Sequence, residues 1–270
     1  MLNIFKRELK ANRKSLIIWA VILLFLTVAG FGEYGIVVKP DSGMDIGAIV
    51  NVMPKAVRAV FGMGTLPIDT PEGWYACMFI WCAILVFIHA ALLGSSIIAK
   101  EESDRTSEFL YTKPISRKDI MTGKILAALI NVFIMAFITW ASTLLIFGQY
   151  ADKTLIGQIN LSMICMFIIQ ILFLFIGLFL SAVFEKKGKA MRISATAVIV
   201  TYLISVIMDI YGNIDLLNFL SFLTPFKYFD VADIVTGKGI SPAFVILSAV
   251  LIVAAGYLTY FSYKRRDIHT

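Results

Sequence analysis

The chain has 270 residues, 59% of them hydrophobic and 16% charged, with a formal charge of +6 at pH 7. That composition carries more apolar surface than a water-soluble domain of this length can bury, which excludes a soluble enzyme or binding module and makes lipid the solvent. The positive charge does not point to nucleic acid, because the basic residues are sorted by loop rather than gathered on one patch.

Each crossing of a hydrocarbon layer about 30 Å thick needs roughly 20 apolar residues in a helix, and six runs of the sequence meet that demand. Residues 1–14 set Leu2, Phe5 and Leu9 on one helical face, with Lys6, Arg7, Lys10, Arg13 and Lys14 around the rest. This is the pattern of a helix lying on the membrane surface; a basic leader that only fixes orientation fits equally well. The first span covers 15–32. It is read as retained rather than cleaved, because the basic stretch is long, contains Glu8, and precedes an apolar run as long as a span.

An external loop over 33–72 contains Pro40, Pro54, Pro67 and Pro71. Within it Asp45 to Phe61 is amphipathic, which predicts a helix resting on the outer leaflet or packed on a partner. The second span covers 73–99, free of Asp, Glu, Lys and Arg and with His89 its one histidine; a charged loop follows over 100–123. The third span is 124–149 and the fourth 158–184. The fifth, 191–210, is the weakest, because its uncharged part is short before Asp209, which must lie at the membrane surface or face protein.

Residues 211–238 are too polar to span, yet Leu216 to Phe222 and Phe226 to Phe229 are too apolar for an open loop. Short helices dipping into the outer membrane half satisfy both observations, with Pro225 expected to break them. The sixth span is 241–263, and 264–270 form a tail. Eighteen of the 24 Lys and Arg residues lie in the N-terminus, in 100–124, in 186–192 and in 264–266, so the positive-inside bias places both termini in the cytoplasm. The expected fold is thus all-α and integral to the membrane, a single six-helix domain with the N- and C-termini inside.

The sequence lacks the motifs of catalysis. Thr122-Gly123-Lys124 and Thr236-Gly237-Lys238 lack the glycine-rich lead and following Ser or Thr of a phosphate-binding loop, and there is no HExxH or GxSxG. Cys77, Cys82 and Cys165 lie in apolar runs without metal-ligand spacing. No catalytic residue, metal site or bound cofactor is expected in this chain.

The informative stretch is the loop after the second span. Thr106 can cap a short helix, Glu108 suits the positive end of its dipole, and Pro114 ends it. Phe109, Leu110 and Tyr111 then offer an apolar contact surface flanked by charge, as a docking helix requires. Composition alone leaves an ordinary solvated connector as the plainer reading.

The order of residues in this loop resembles the permease subunits of ABC-2 type exporters, including those of toxin and antimicrobial peptides. Their pattern, roughly E-E-x-x-G-T-x-E-x-L-x-x-x-P-I-S-R-x-x-I-x-x-G-K, is met in register by Glu101, Glu102, Thr106, Glu108, Leu110, Pro114, Ile115, Ser116, Arg117, Ile120, Gly123 and Lys124. Arg105 stands where glycine is usual. Leu223 to Phe229 and Tyr263 to Ile268 are similar to two further segments near the end of such permeases.

The resemblance implies a bacterial inner-membrane exporter. In it this chain pairs with a second permease, identical or homologous, and with two copies of a cytoplasmic ATPase that binds ATP and Mg2+. It also implies that Glu101, Glu102, Thr106, Glu108, Phe109, Leu110, Tyr111, Pro114 and Arg117 carry the coupling to that ATPase.

Inside the spans, His89, Gln170 and Asn131 are candidates for a translocation path, although interhelical hydrogen bonding is the plainer role for each. Met135, Met163, Met166, Phe167, Phe173, Phe175 and Phe179 fit an adaptable wall for an amphipathic peptide cargo; lipid-facing packing fits them at least as well. Ions, drugs and lipid-linked cargo stay open. A rival from another class is an ion-coupled carrier or channel centred on His89, which would need no ATPase.

Overall fold

A computed structural model of the chain describes residues 2–38, 45–64, 66–98, 117–184, 186–212 and 219–265. The described residues form helices and turns, with no strand among them. In chain order the helices are α1 (Leu2–Gly32), α2 (Tyr34–Val37), α3 (Ile46–Val52), α4 (Lys55–Phe61), α5 (Pro71–Ile97), α6 (Arg117–Phe147), α7 (Lys153–Val183), α8 (Lys187–Tyr211), α9 (Val231–Val235) and α10 (Pro242–Arg265). Six of them, α1, α5, α6, α7, α8 and α10, are long and apolar enough to cross a membrane.

Several boundaries differ from those the sequence predicts. Residues 2–14 are not a separate helix but the first turns of α1, which is continuous over 31 residues. Such a helix is about 46 Å long, so about 16 Å of it extends beyond the hydrocarbon layer, and the basic turns account for that excess. The amphipathic stretch 45–61 is two helices, because the residue before a proline avoids helical ψ and Met53 is extended at φ −69°, ψ 141° before Pro54. The helix after the charged loop begins at Arg117, not at 124. The fifth span is not short: α8 runs 25 residues, taking in Lys187, Lys189 and Arg192 at one end and Asp209 at the other. Of the excursion, 213–218 lie outside the described residues; Thr224 is extended before Pro225, which opens a 3-10 turn, Pro225–Lys227, where its missing N–H costs nothing.

The ends of these helices follow local chemistry. Thr70 caps α5 by accepting from the Gly73 amide, with Pro71 in the first helical turn. Asp152 caps α7 in the same way through the Leu155 amide. Gly62 ends α4 with φ 73°, a left-handed conformation that glycine adopts without strain.

Helices α5 and α7 form the centre: 61% and 56% of their most apolar stretches are buried, against 17%, 22% and 11% for α1, α8 and α10, which leave broad apolar faces outward. α1 lies along α6, α10 along α7, and α8 against α5, α7 and α4. Between spans without a hydrophobic drive to associate, close approach comes from small side chains. At the α5–α7 crossing Gly94 and Gly177 are both buried, with Ala91 and Ser95 on the α5 side.

One end of the bundle gathers the start of α1, the end of α5, the start of α6, the end of α7 and the end of α10. Ile97, Met121, Ile125, Leu178, Ala182 and Tyr263 share a buried cluster there. The opposite end holds an aromatic cluster, with Phe31, Tyr34, Tyr75, Phe147 and Tyr150 ring centroids 5.1 to 6.1 Å apart.

Candidate functional site

The charged loop leaves the bundle after Ile98 and returns at Arg117; Glu101, Glu102, Thr106, Glu108, Phe109, Leu110, Tyr111 and Pro114 lie outside the described residues. Arg117 opens α6, and its side chain is likewise outside them. What the structure describes is the root of that loop. Ile120, Gly123 and Lys124, the last part of the sequence pattern, fall at i, i+3 and i+4 on one helical face, and all three are buried. That spacing serves packing into the bundle.

Lys124 is 1% exposed. Its ammonium donates to the Ile97 carbonyl at 2.6 Å, supplying a partner to one of the last carbonyls of α5, which the helix itself leaves unpaired. A cation there also meets the negative end of the helix dipole. The two roots of the loop are therefore tied to each other by a side chain.

A third element joins them. Glu8 of α1 is 2% exposed, and its Oε1 lies 3.6 Å from the Lys124 ammonium and 3.1 Å from Arg7 Nη2. Sequence reasoning passed over Glu8, treating it only as an acid inside a basic leader. Ile4 and Glu8, one turn apart, are buried in the protein, whereas Leu2, on the face expected to meet the membrane surface, points away from it. The signal in the sequence was that i, i+4 pair of an apolar residue and the lone acid.

The three candidate path residues are buried but not connected. His89 of α5 packs edge-on against Trp19 of α1, ring centroids 5.6 Å apart, and its Nδ1 has no hydrogen-bond partner. Asn131 donates to the Ala127 carbonyl of its own helix at 2.7 Å. Gln170 is fully buried in α7, and neither its amide oxygen nor its nitrogen has a partner. Among the described residues none of the three hydrogen-bonds another, so they make no relay.

At the opposite end a second charged group holds α8 to the excursion before α10. Lys227 donates to Asp209 at 2.6 Å and to Asp230 at 2.7 Å, while the other Asp230 oxygen caps α9 through the Ala232 amide. Asp209 thus faces protein. Burial pulls the Lys227 ammonium down, but Asp230 and Asp209 outweigh it and hold its pKa above the usual lysine value. Beside this trio lies a cavity of about 50 Å³ walled by Phe79, Phe87, Met166, Tyr202 and Phe226. Phe226 fixes the excursion by inserting its ring 5.2 Å from Phe87 and 5.4 Å from Tyr202. Tyr228 and Phe229 follow it into the protein, 3% and 6% exposed.

Comparison with known proteins gives one family: the model described as "ABC-2 family transporter protein" matches residues 2–268, nearly the whole chain. No curated protein matches it.

Proposed function

Because the chain belongs to the ABC-2 transporter family and is therefore a membrane permease component, we propose that it exports cargo from the bacterial cytoplasm with energy from a separate ATPase. In this reading two permeases, either two copies of this chain or this chain and a homologue, sit on two copies of a cytoplasmic ATPase that carries ATP and Mg2+. The chain's own contribution is transmission. Glu101, Glu102, Thr106, Glu108, Phe109, Leu110, Tyr111, Pro114 and Arg117 form the contact with the ATPase, and closure of the ATPase pair pushes on this loop.

The observation that carries the reading is the Lys124–Ile97 contact. A loop that passes force to the spans needs rigid roots, and here the ammonium of one root holds the terminal carbonyl of the other in a buried cluster. The bundle end that holds this contact also gathers the segments richest in Lys and Arg, which supports a cytoplasmic position for it and for both termini. Switching needs only that ATP-bound and ATP-free partners favour different arrangements by a few kcal/mol. An ion-coupled carrier centred on His89 gains no support from packing that sets its ring against Trp19.

For cargo we favour an amphipathic peptide, on the strength of the aromatic and methionine side chains in α5, α7 and the excursion before α10. The test of the coupling is copurification. The partner ATPase should be retained by the wild-type permease and lost with Phe109→Asp combined with Leu110→Asp, at equal permease levels in the membrane. An ATPase that ignores the wild-type chain, or holds the variant as firmly, overturns the assignment. Unchanged peptide secretion and peptide resistance in cells lacking the chain would exclude the peptide cargo.

A further inference from the structure

Two of the acceptors around Lys124 lie at unequal distances from it. Its ammonium is 2.6 Å from the Ile97 carbonyl and 3.6 Å from Glu8 Oε1, so only the first lies at hydrogen-bond distance. Glu8 is nevertheless 2% exposed, and its second oxygen, Oε2, is buried without a hydrogen-bond partner. Its nearer cation, Arg7, comes from the same helix and is largely at the surface. A charge pair that served only to hold α1 in place would be drawn to about 2.7 to 2.9 Å, because a buried carboxylate gains most from a closed, charge-assisted bond. Burying the Glu8 carboxylate with this contact about 1 Å open and Oε2 unbonded is costly for stability alone.

We propose that Glu8 is a positioning residue for energy coupling: as the roots of the loop move, the Lys124 ammonium exchanges the Ile97 carbonyl for the Glu8 carboxylate, so the first turns of α1 follow the loop. This rests on the reading that residues 100–116 receive the motion of the ATPase. In the arrangement described, Lys124 ties α6 to α5 and meets Glu8 of α1 only through an open contact. In the other it ties α6 to α1 and frees the last turn of α5.

The consequence reaches the far end of the bundle. α1 is one unbroken helix packed along α6, and from Glu8 to Gly30 it spans about 33 Å at 1.5 Å per residue. At Gly30 its carbonyl accepts from Trp74 Nε1 at 2.9 Å, at the start of α5. A displacement of Glu8 is thus delivered to the opposite end of α5 as well, with α1 acting as a strut.

The test uses the full-length permease with its ATPase in lipid nanodiscs. Spin labels go on cysteines at the exposed positions Asn3 and Lys118; the native cysteines 77, 82 and 165 are buried. Distances are read by pulsed electron resonance without nucleotide and after trapping with ATP and vanadate. In the wild type, trapping should shift the Asn3–Lys118 distance, and Glu8→Gln should lose that shift while keeping ATPase binding. Lys124→Arg, whose longer fork can bridge both acceptors, should retain it.

A merely structural Glu8 would lower the melting temperature of the Gln variant and leave the shift intact, and that result overturns the proposal. So does a wild type whose labels do not move on trapping. If Glu8→Gln fails to insert, Glu8→Asp supplies the reading, with a reduced shift expected and a full one decisive against. Failure of the coupling assignment looks different: the shift would then survive Phe109→Asp with Leu110→Asp.

Discussion

Gly94 of α5 and Gly177 of α7 meet at the crossing of these two helices, each lying against the other helix's backbone. A Cβ on Gly94 would fall inside the contact radius of the Leu174 carbonyl oxygen and 2.9 Å from the Leu178 nitrogen. On Gly177 it would meet the Ala91 carbonyl in the same way and lie 2.9 Å from the Ser95 nitrogen. What stands in the way is backbone, so neither helix can yield by turning a side chain.

Gly94→Ala and Gly177→Ala should therefore each force α5 and α7 apart and destabilise the permease by about 1 to 3 kcal/mol or more. Thermal unfolding in detergent measures this. Gly157→Ala is the control, because nothing lies within 4 Å of a Cβ there, and it should be neutral or mildly stabilising.

Tyr75 and Ser162 join the same two helices through a fully buried pair of hydroxyls 2.6 Å apart. Ser162 donates to the Ile159 carbonyl at 2.8 Å, which makes Tyr75 the donor between them. Tyr75→Phe then loses one bond and should cost about 0.5 to 1.5 kcal/mol. Ser162→Ala leaves the tyrosine hydroxyl buried without an acceptor and should cost more, about 1 to 3 kcal/mol. Equal losses in the two variants would contradict this donor assignment.

Gln170 is the reverse case, a buried amide with neither end bonded. Gln170→Met, close in volume and without the amide, should raise stability by about 1 to 3 kcal/mol, the cost of the unmet hydrogen bonds. If Gln170 instead lines a wet path, the same variant will lose transport without gaining stability, so the two readings part on a single melting curve.

The Asp209–Lys227–Asp230 group should respond to alkali. With its pKa held above the ordinary 10.5, the Lys227 ammonium contributes stability that is complete below about pH 10.5 and is lost as pH rises through the higher folded value. Lys227→Met should remove that alkaline loss. At neutral pH it leaves two carboxylates facing each other and should destabilise by about 1 to 3 kcal/mol, below the range for fully buried pairs because the side chains are 16% to 29% exposed. Melting curves from pH 7 to 12 test both statements.

Much of the course of the chain was legible in the sequence. Hydropathy over a window of about 20 residues is a local property matched to bilayer thickness, so the six spans could be counted before their packing was known. The two helix ends that bound the charged loop could be placed within a turn or two for the same reason. Legibility failed where a property ceased to be local. Charge made residues 2–14 look distinct from 15–32, yet helical hydrogen bonding runs through both without a break. Asp209 seemed to end a short fifth span because its partners, Lys227 and Asp230, come from a later segment.

By itself, then, the sequence determined the number of spans, the solvent they require, the sorting of basic residues by loop and the ordered pattern of the loop after the second span, all of which reside in neighbouring residues. Only the tertiary structure decided that Glu8 belongs to the root of that loop, that Lys124 turns inward to Ile97, that Gly94 and Gly177 let α5 and α7 touch, and that His89, Asn131 and Gln170 stand apart. Each of these is fixed by which helix faces are brought together, and hydrophobic periodicity records that a face is buried without recording what buries it.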